Sequence, residues 1–166
     1  MKKALKALAA IIAAALVIAC SSAAKQPIAA QKATEGRFTA YEDGTVLDTH
    51  TDLMWAAKDN GYDISWVHAK FYCENYRGGG HKDWRMPTLK ELESLYDPAK
   101  SRAAPCHGGN SIHVATELID ISCFIFWTSQ TSDAEVAIFD FGPGIRSGFS
   151  SQVTLYCRAL PVRYNR

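Results

Sequence analysis

The residues with the clearest chemistry are the five cysteines of the chain: Cys20, Cys73, Cys106, Cys123 and Cys157. Cys20 follows Val17-Ile18-Ala19, a lipobox pattern in which a small residue precedes the cysteine that receives a diacylglycerol before cleavage. The four remaining cysteines are an even number, which predicts two disulfides in an oxidising compartment, with three possible connectivities. We favour a nested pairing, Cys106 with Cys123 and Cys73 with Cys157.

Metal binding is the alternative role for these cysteines. No two of them have C-x-x-C spacing, and no matching pair of histidines accompanies them. We therefore expect neither a metal site nor a cofactor.

Residues 1–19 have the layout of a signal peptide. Lys2, Lys3 and Lys6 form a positive n-region, and an apolar stretch follows up to Ala19. This stretch is shorter than the ~20 residues that span a membrane, and no second one of that length follows. Ser21 is not the aspartate that retains lipoproteins in the inner membrane, so we expect an outer-membrane lipid anchor on Cys20. Ordinary cleavage after Ala24 is the alternative, and it would leave a soluble periplasmic or secreted protein.

Composition divides the exported chain into a tether and one domain. Residues 20–35 are small and polar without aromatic residues, which predicts a flexible tether. Residues 36–166 hold all four tryptophans, seven tyrosines and seven phenylalanines, as expected for one core. Loss of three lysines with the signal peptide leaves 15 basic against 17 acidic residues, a net charge of −2. We therefore expect no nucleic-acid partner, which would need a clustered basic face.

The first half of the domain predicts a hairpin, a strand and two helices. Residues 37–47 alternate around Asp43-Gly44, which is typical of a hairpin, and 53–55 form the next strand. Asp63 or Ser65 caps a helix over 66–76. Thr88 and Glu91 form the capping box of a second helix that ends by Pro98.

The second half predicts a long irregular segment and then strands. Residues 99–122 contain proline and glycines, and a loop of this length is usually functional or mobile. Alternating apolar residues predict strands at 124–129, 135–141 and 153–160, with a glycine-rich loop at 141–152 between the last two. The order of elements indicates an α+β fold.

Eight short fragments form an ordered series along the domain. They are Arg37-Phe38-Thr39, Asp43-Gly44-Thr45-Val46, Asp52-Leu53-Met54-Trp55, Tyr72-Cys73, Asp83-Trp84-Arg85-Met86-Pro87-Thr88, Lys90-Glu91-Leu92, Trp127-Thr128-Ser129 and Tyr156-Cys157-Arg158. Taken together, they resemble the Lcl C-terminal domain family, long described as a domain of unknown function and named after a collagen-like adhesin. The resemblance covers residues 37–163.

This resemblance implies a C-type-lectin-like fold, with two helices packed on small antiparallel sheets and a long-loop region that carries ligands. It also implies the Cys73–Cys157 disulfide, and it makes a trimer possible. The adhesin binds sulfated glycans, but this sequence contains no collagen-like stalk and is near neutral, so we do not expect adhesion to polyanions. The Glu-Pro-Asn and Trp-Asn-Asp motifs of calcium-dependent lectins are absent, so we expect no calcium.

Residues 85–93 are also similar to a segment of the formylglycine-generating enzymes, which use a close pair of cysteines near the C-terminus. Here only Cys157 lies near the end. Serines such as Ser129 lack a recognisable nucleophile motif. We therefore predict that the protein is not an enzyme, with a degenerate oxidase of this type as a minor alternative.

Two loop segments are candidate ligand sites. His107, Asn110 and His113 lie in the long irregular segment, where they could contact a metal or a sugar, although exposed loop residues without a site are the simpler interpretation. The glycine-rich loop offers Arg146, Phe149 and Gln152, a forked cation, an aromatic face and an amide suited to a glycan; a plain surface turn is equally compatible.

The motif Asp83-Trp84-Arg85 with Pro87 is predicted to be structural, as a buried ion pair or backbone clamp before the second helix. The sequence as a whole predicts a membrane-anchored, non-catalytic recognition module of the cell envelope for a glycan, a peptide or a partner protein. The alternative is a structural or assembly subunit of an envelope complex.

Overall fold

The computed structural model describes residues 29–106, 110–133, 135–154 and 156–166. In these residues two α-helices and three small sheets form an α+β fold. The first sheet has five antiparallel strands in the order β1-β2-β3-β4-β11. Its strands are β1 (Gln31–Glu35), β2 (Phe38–Tyr41), β3 (Thr45–Asp48), β4 (Leu53–Ala56) and β11 (Val162–Tyr164).

The hairpin predicted around Asp43-Gly44 is confirmed as β2 and β3. Gly44 has φ +80°, a left-handed conformation that glycine adopts without steric cost. The Asp43 carboxylate accepts hydrogen bonds from the Thr45 backbone N–H at 3.1 Å and from its hydroxyl at 2.7 Å. The turn chemistry therefore sets the register that places Val46 opposite Ala40, and both side chains are buried in the core.

The boundary predicted between tether and domain is wrong in part. Residues 31–35 form β1, which pairs with β2, so the folded body begins before Gly36. Glu35 accepts hydrogen bonds from the Thr116 hydroxyl at 2.6 Å and from the Glu117 N–H at 2.7 Å, and it forms an ion pair with Lys100. Composition misses this strand because backbone pairing and one carboxylate hold it, and its apolar contact with the core is limited to the small side chain of Ala33. The signal peptide and Cys20 lie outside the described residues.

Both predicted helices are present. Helix α1 covers Trp66–Asn75, and helix α2 covers Leu89–Ser94. The Thr88–Glu91 capping box is confirmed, with both of its hydrogen bonds formed. Ser65 occupies the N-cap of α1, but it makes no side-chain cap bond, and its hydroxyl instead lies 2.9 Å from His68 Nδ1.

The second sheet has the order β10-β7-β8-β9 and differs from the prediction at its edges. Its strands are β7 (Ile125–Thr131), β8 (Val136–Asp140), β9 (Ile145–Phe149) and β10 (Cys157–Arg158), and β5 (Arg102–Ala103) pairs with β6 (Ser111–Ile112) in a separate two-stranded sheet.

Two predictions about the second sheet are corrected. Part of the glycine-rich loop is strand β9, because β8 supplies a pairing edge for it. The strand predicted over 153–160 shrinks to β10, because Tyr156 has φ +62° and turn-type hydrogen bonds occupy the residues before it. Strand β10 also runs parallel to β7 rather than antiparallel.

Strand β7 separates two buried clusters. Phe126 packs in the first cluster, with the five-stranded sheet and Leu92 and Leu95 at the end of α2. Ile125 and Trp127 pack in the second cluster, with Ala69 and Cys73 of α1. Because side chains alternate along a strand, the two helices cover opposite faces of this sheet. The sheet therefore forms the central layer of the domain.

The four body cysteines divide into one disulfide and two thiols. The predicted Cys106–Cys123 bond is confirmed. The predicted Cys73–Cys157 bond is wrong in this structure, because both residues are free thiols buried in the second cluster. The even number of cysteines predicted two disulfides. A buried apolar cluster, however, also accommodates neutral thiols, which pack as small hydrophobic side chains.

Loss of the disulfide should lower stability. The bond closes a loop with a sequence separation of 17, for which restriction of the unfolded chain contributes about 3 kcal/mol. We expect Cys106→Ser/Cys123→Ser to lower the free energy of unfolding by about that amount in urea titrations. A reductant should destabilise the wild type but leave the double variant unchanged. Equal midpoints for wild type and variant would contradict this account.

The two thiols should be unreactive in the folded protein. Burial raises the pKa of Cys157 to about 12 and raises that of Cys73 as well, so the nucleophilic thiolate is scarce. We expect iodoacetamide to alkylate neither thiol before unfolding and both after unfolding without reductant, as measured by mass spectrometry. If unfolding released no alkylatable thiol, the two cysteines would be bonded to each other and the structural assignment would fail.

Candidate functional site

A groove runs along the outer side of α1 and encloses a cavity of about 620 Å³. This volume lies within the range of small-ligand sites. We call it the α1 groove. Its lining residues come from the loop before α1, from α1 and the residues just after it, and from the segment before β10; they are Tyr62, Asp63, Ile64, Ser65, His68, Phe71, Tyr72, Asn75, Tyr76, Arg77 and Thr154.

Aromatic side chains dominate the exposed part of the groove. Phe71 is 67% exposed and Tyr62 is 56% exposed, although both are large enough to contribute to a core. Val67, on the same helix, is 54% exposed. Tyr72 and Tyr76 are half-buried and form the deeper part of the wall. A cluster of exposed apolar residues beside a cavity is more informative than a single one, and it marks a contact surface.

The polar groups of the groove are mostly uncharged. Ser65 and His68 are joined by the 2.9 Å contact between Oγ and Nδ1. Asn75 donates its amide to the Phe71 carbonyl at 2.9 Å, which fixes the orientation of the amide. Arg77 donates Nη1 to the carbonyls of Glu74 at 2.9 Å and Tyr76 at 2.6 Å.

The tyrosines add neutral hydroxyls. Burial raises the pKa of Tyr72 to about 12 and also raises the pKa of Tyr76. Both phenols therefore stay protonated over the physiological range and act as hydrogen-bond donors or acceptors.

The one carboxylate of the groove is paired with a buried cation. Asp63 forms an ion pair with Arg158, whose side chain is nearly fully buried. Arg158 also donates Nε to the Ser122 hydroxyl at 3.0 Å. The ion pair therefore belongs to the scaffold of the groove, and it leaves the lining near neutral.

The loop before α1 is held by buried polar residues. Asp59 accepts hydrogen bonds from the Ser122 N–H at 2.6 Å and the Gly61 N–H at 2.7 Å, while burial outweighs these contacts and raises its pKa. Asn60 accepts from the Ala159 N–H at 2.7 Å and donates to the Tyr62 carbonyl at 2.5 Å. These contacts fix the backbone on which Tyr62 is presented.

Two tryptophans fix the start of α1 against the central sheet. The indole of Trp66 donates to the Thr128 carbonyl at 2.9 Å, and the indole of Trp127 donates to the Ile64 carbonyl at 2.8 Å. The groove therefore lies on a rigid support, as binding sites on a preformed scaffold do.

Asn110 and His113, the two described residues of the predicted long-segment site, make different contacts. Asn110 is exposed, and its carbonyl accepts from the Ala104 N–H at 2.8 Å. The ring nitrogen Nδ1 of His113 lies 2.7 Å from the Lys100 carbonyl, and the ring packs beside Tyr96. His107 lies outside the described residues. The contacts of His113 are structural, because they connect the long segment to the residues after α2.

The three residues predicted in the glycine-rich loop are also separate from the α1 groove. Arg146 forms an ion pair with Glu93 of α2. Phe149 packs edge-on against Trp127, with 6.4 Å between ring centroids. Gln152 is exposed, and its backbone N–H lies 3.4 Å from the Ser150 hydroxyl. The Phe149 ring therefore packs, partly buried, against the second cluster.

The motif before α2 makes the contacts expected of a structural element. Asp83 pairs with Arg163 at 2.8 and 3.2 Å, and Trp84 donates to the Gly78 carbonyl at 3.0 Å. Arg85 binds Glu91 through two bonds of 2.8 and 2.6 Å. The Pro87 carbonyl accepts from the Ser129 N–H at 2.8 Å. These contacts connect α2, β7 and the C-terminal strand.

Sequence reasoning missed the α1 groove, although a signal was present. The buried residues of α1 are Ala69 and Cys73, while Val67 and Phe71 lie together on another face at i, i+4 spacing. Exposed apolar residues at that spacing indicate a second contact surface. Tyr62 adds to this surface only through the fold of the preceding loop.

Within the described residues no group of three or more histidine, cysteine, aspartate or glutamate side chains is arranged to hold a metal ion. No helix in this part of the chain is long and apolar enough to span a membrane.

These features define an α+β domain with one disulfide and an aromatic groove. Comparison with known families identifies it further: the family model of the Lcl C-terminal domain matches residues 44–163. Because the match covers most of the chain, the protein belongs to the Lcl C-terminal domain family. No curated protein matches the sequence.

The exposed aromatic residues of the groove should contribute little to stability. We expect Phe71→Ala to change the free energy of unfolding by less than about 0.5 kcal/mol, since an exposed side chain loses few contacts. The matched variant Phe126→Ala, at a fully buried phenylalanine, should cost about 3 to 5 kcal/mol. Denaturant titration of both variants tests the difference. A comparable loss for Phe71→Ala would show that this residue serves folding.

Proposed function

We propose that the protein is an envelope lipoprotein of C-type-lectin-like fold, anchored in the outer membrane through a lipid on Cys20. Its domain is a non-catalytic recognition module that binds its ligand in the α1 groove. The observation that carries the proposal is the exposure of Phe71 and Tyr62 in one cavity on a rigid scaffold.

Two observations support a membrane-anchored domain outside the cytoplasm. The Cys106–Cys123 disulfide suggests an extracytoplasmic compartment, where such bonds persist. Strand β1 begins shortly after the predicted lipid site, so the membrane would lie within reach of the domain through a short segment.

Two observations support a binding role over catalysis. Cys157 is buried with a raised pKa, which is the opposite of the environment that activates a cysteine nucleophile. The contact between Ser65 and His68 joins two residues within one helical turn, where it satisfies local hydrogen bonding. This pair alone does not make a catalytic site, because a serine nucleophile also needs donors for an oxyanion and a group that orients the histidine.

An assembly subunit of an envelope complex is the second candidate, favoured by the exposed apolar residues of the groove. A stable protein interface, however, buries about 800 Å² on each partner. The exposed apolar residues here surround a concave cavity and are interspersed with hydroxyl, amide and imidazole groups. This arrangement suits a small group that enters the cavity better than it suits a flat protein surface. A trimer would have to use other surfaces.

The proposal is tested by binding of the purified protein to isolated cell-envelope fractions, measured by co-sedimentation over a range of protein concentrations. We expect Tyr62→Ser/Phe71→Ser to weaken retention about tenfold, because aromatic anchors carry most of the energy of such contacts. The matched control is Ile145→Ser on β9, which removes an apolar side chain that is 52% exposed and outside the groove. Equal retention of the groove variant and the control would contradict the proposal.

A further inference from the structure

The α1 groove combines aromatic side chains with neutral polar groups, and this combination favours some classes of ligand over others. Phe71 and Tyr62 present apolar faces, and Ser65, His68, Asn75 and Thr154 add groups that donate or accept hydrogen bonds. Sugars require this combination, since one face of a pyranose ring is apolar while its rim carries hydroxyls. The Ser65–His68 and Asn75–Phe71 contacts use only part of this hydrogen-bonding capacity. A purely apolar ligand would cover the remaining donors and acceptors without giving them partners, at a cost in affinity.

The charges of the groove argue against an anionic ligand. Its arginine, Arg77, uses Nη1 on two backbone carbonyls, and Arg158 behind the lining is paired with Asp63. Recognition of sulfate or phosphate groups needs several cations or bidentate arginines directed at the ligand. Arg77, Arg158 and Lys70 carry three positive charges against the two negative charges of Asp63 and Glu74, so these residues in and around the groove have a net charge of +1.

The charges give no basis for a cationic ligand either. Among the described residues that line the groove, Asp63 is the only carboxylate, and its charge is balanced by Arg158. Recognition of a cation by the aromatic rings alone would place it over a tyrosine or phenylalanine face, without the polar residues contributing. An uncharged polar ligand can contact both the aromatic rings and the neutral polar side chains of the groove.

We infer that the α1 groove binds an uncharged saccharide, with Phe71 and Tyr62 stacking on pyranose rings and the neutral polar residues accepting and donating hydrogen bonds to the hydroxyls. No metal ion takes part. This inference rests on the proposed function and specifies the ligand of the same groove. It places recognition on α1 rather than at Asn110, His113, Arg146, Phe149 or Gln152.

The test is calorimetric titration of the purified protein with cellotetraose, maltotetraose and chitotetraose, in the presence of excess EDTA. At least one of these neutral oligosaccharides should bind with a Kd between about 10 μM and 1 mM, since few groups take part. Either Tyr62→Ala or Phe71→Ala should weaken that binding about tenfold, whereas Ile145→Ser should not change it. Saturation-transfer NMR should place the strongest protein contacts on the C–H face of a sugar ring.

Other outcomes would overturn the inference. These are the absence of binding by all three oligosaccharides, dependence of binding on calcium, binding unaffected by the groove variants, or groove-dependent binding of a heparin hexasaccharide in their place. The proposed function is separable from this result. Groove-dependent retention on envelope fractions without binding of a neutral oligosaccharide would leave the recognition module standing and reject only the saccharide.

Discussion

The arrangement of the domain depends on a buried polar network between the loop before α1 and two later segments. Asp59 holds the Ser122 backbone and hydroxyl, and Arg158 contacts both the Ser122 hydroxyl and Asp63. The loop, the disulfide-bonded segment and β10 are thereby connected at one place. Leaving one member of such a network buried without its partner costs more than the net gain of a single hydrogen bond. The network therefore favours one arrangement of segments that are far apart in sequence.

The groove follows from this arrangement together with the central position of the second sheet. Strand β7 is buried on both faces, so α1 packs against one side of it and α2 against the other. Helix α1 has one face committed to Ala69 and Cys73 in the buried cluster, and its outer face carries Phe71. The loop held by Asp59 then places Tyr62 beside that outer face. Two residues nine positions apart thus share one cavity.

Local signals in the sequence were sufficient for some elements and not for others. The hairpin at Gly44 and the capping box of Thr88 and Glu91 were predictable, because the residues that determine them lie within a few positions of each other. Strand β9 was not, because its pairing edge is supplied by β8. The left-handed backbone conformation of Tyr156, which shortens β10, cannot be predicted from composition. The groove was missed for a related reason: Val67 and Phe71 share one face of the helix at i, i+4 spacing, but Tyr62 joins them only through the tertiary contacts of the preceding loop.

The contacts of Glu35 have a mechanical consequence. A load applied through the N-terminal segment enters the domain at β1, an edge strand joined to the rest by its hydrogen bonds to β2. The contacts of Glu35 with Thr116, Glu117 and Lys100 lie at the far end of that strand. Pulling would therefore open the pairing from Gln31 inward before it reached the carboxylate. Strand β1 can lengthen the connection under tension while the core and the groove stay folded.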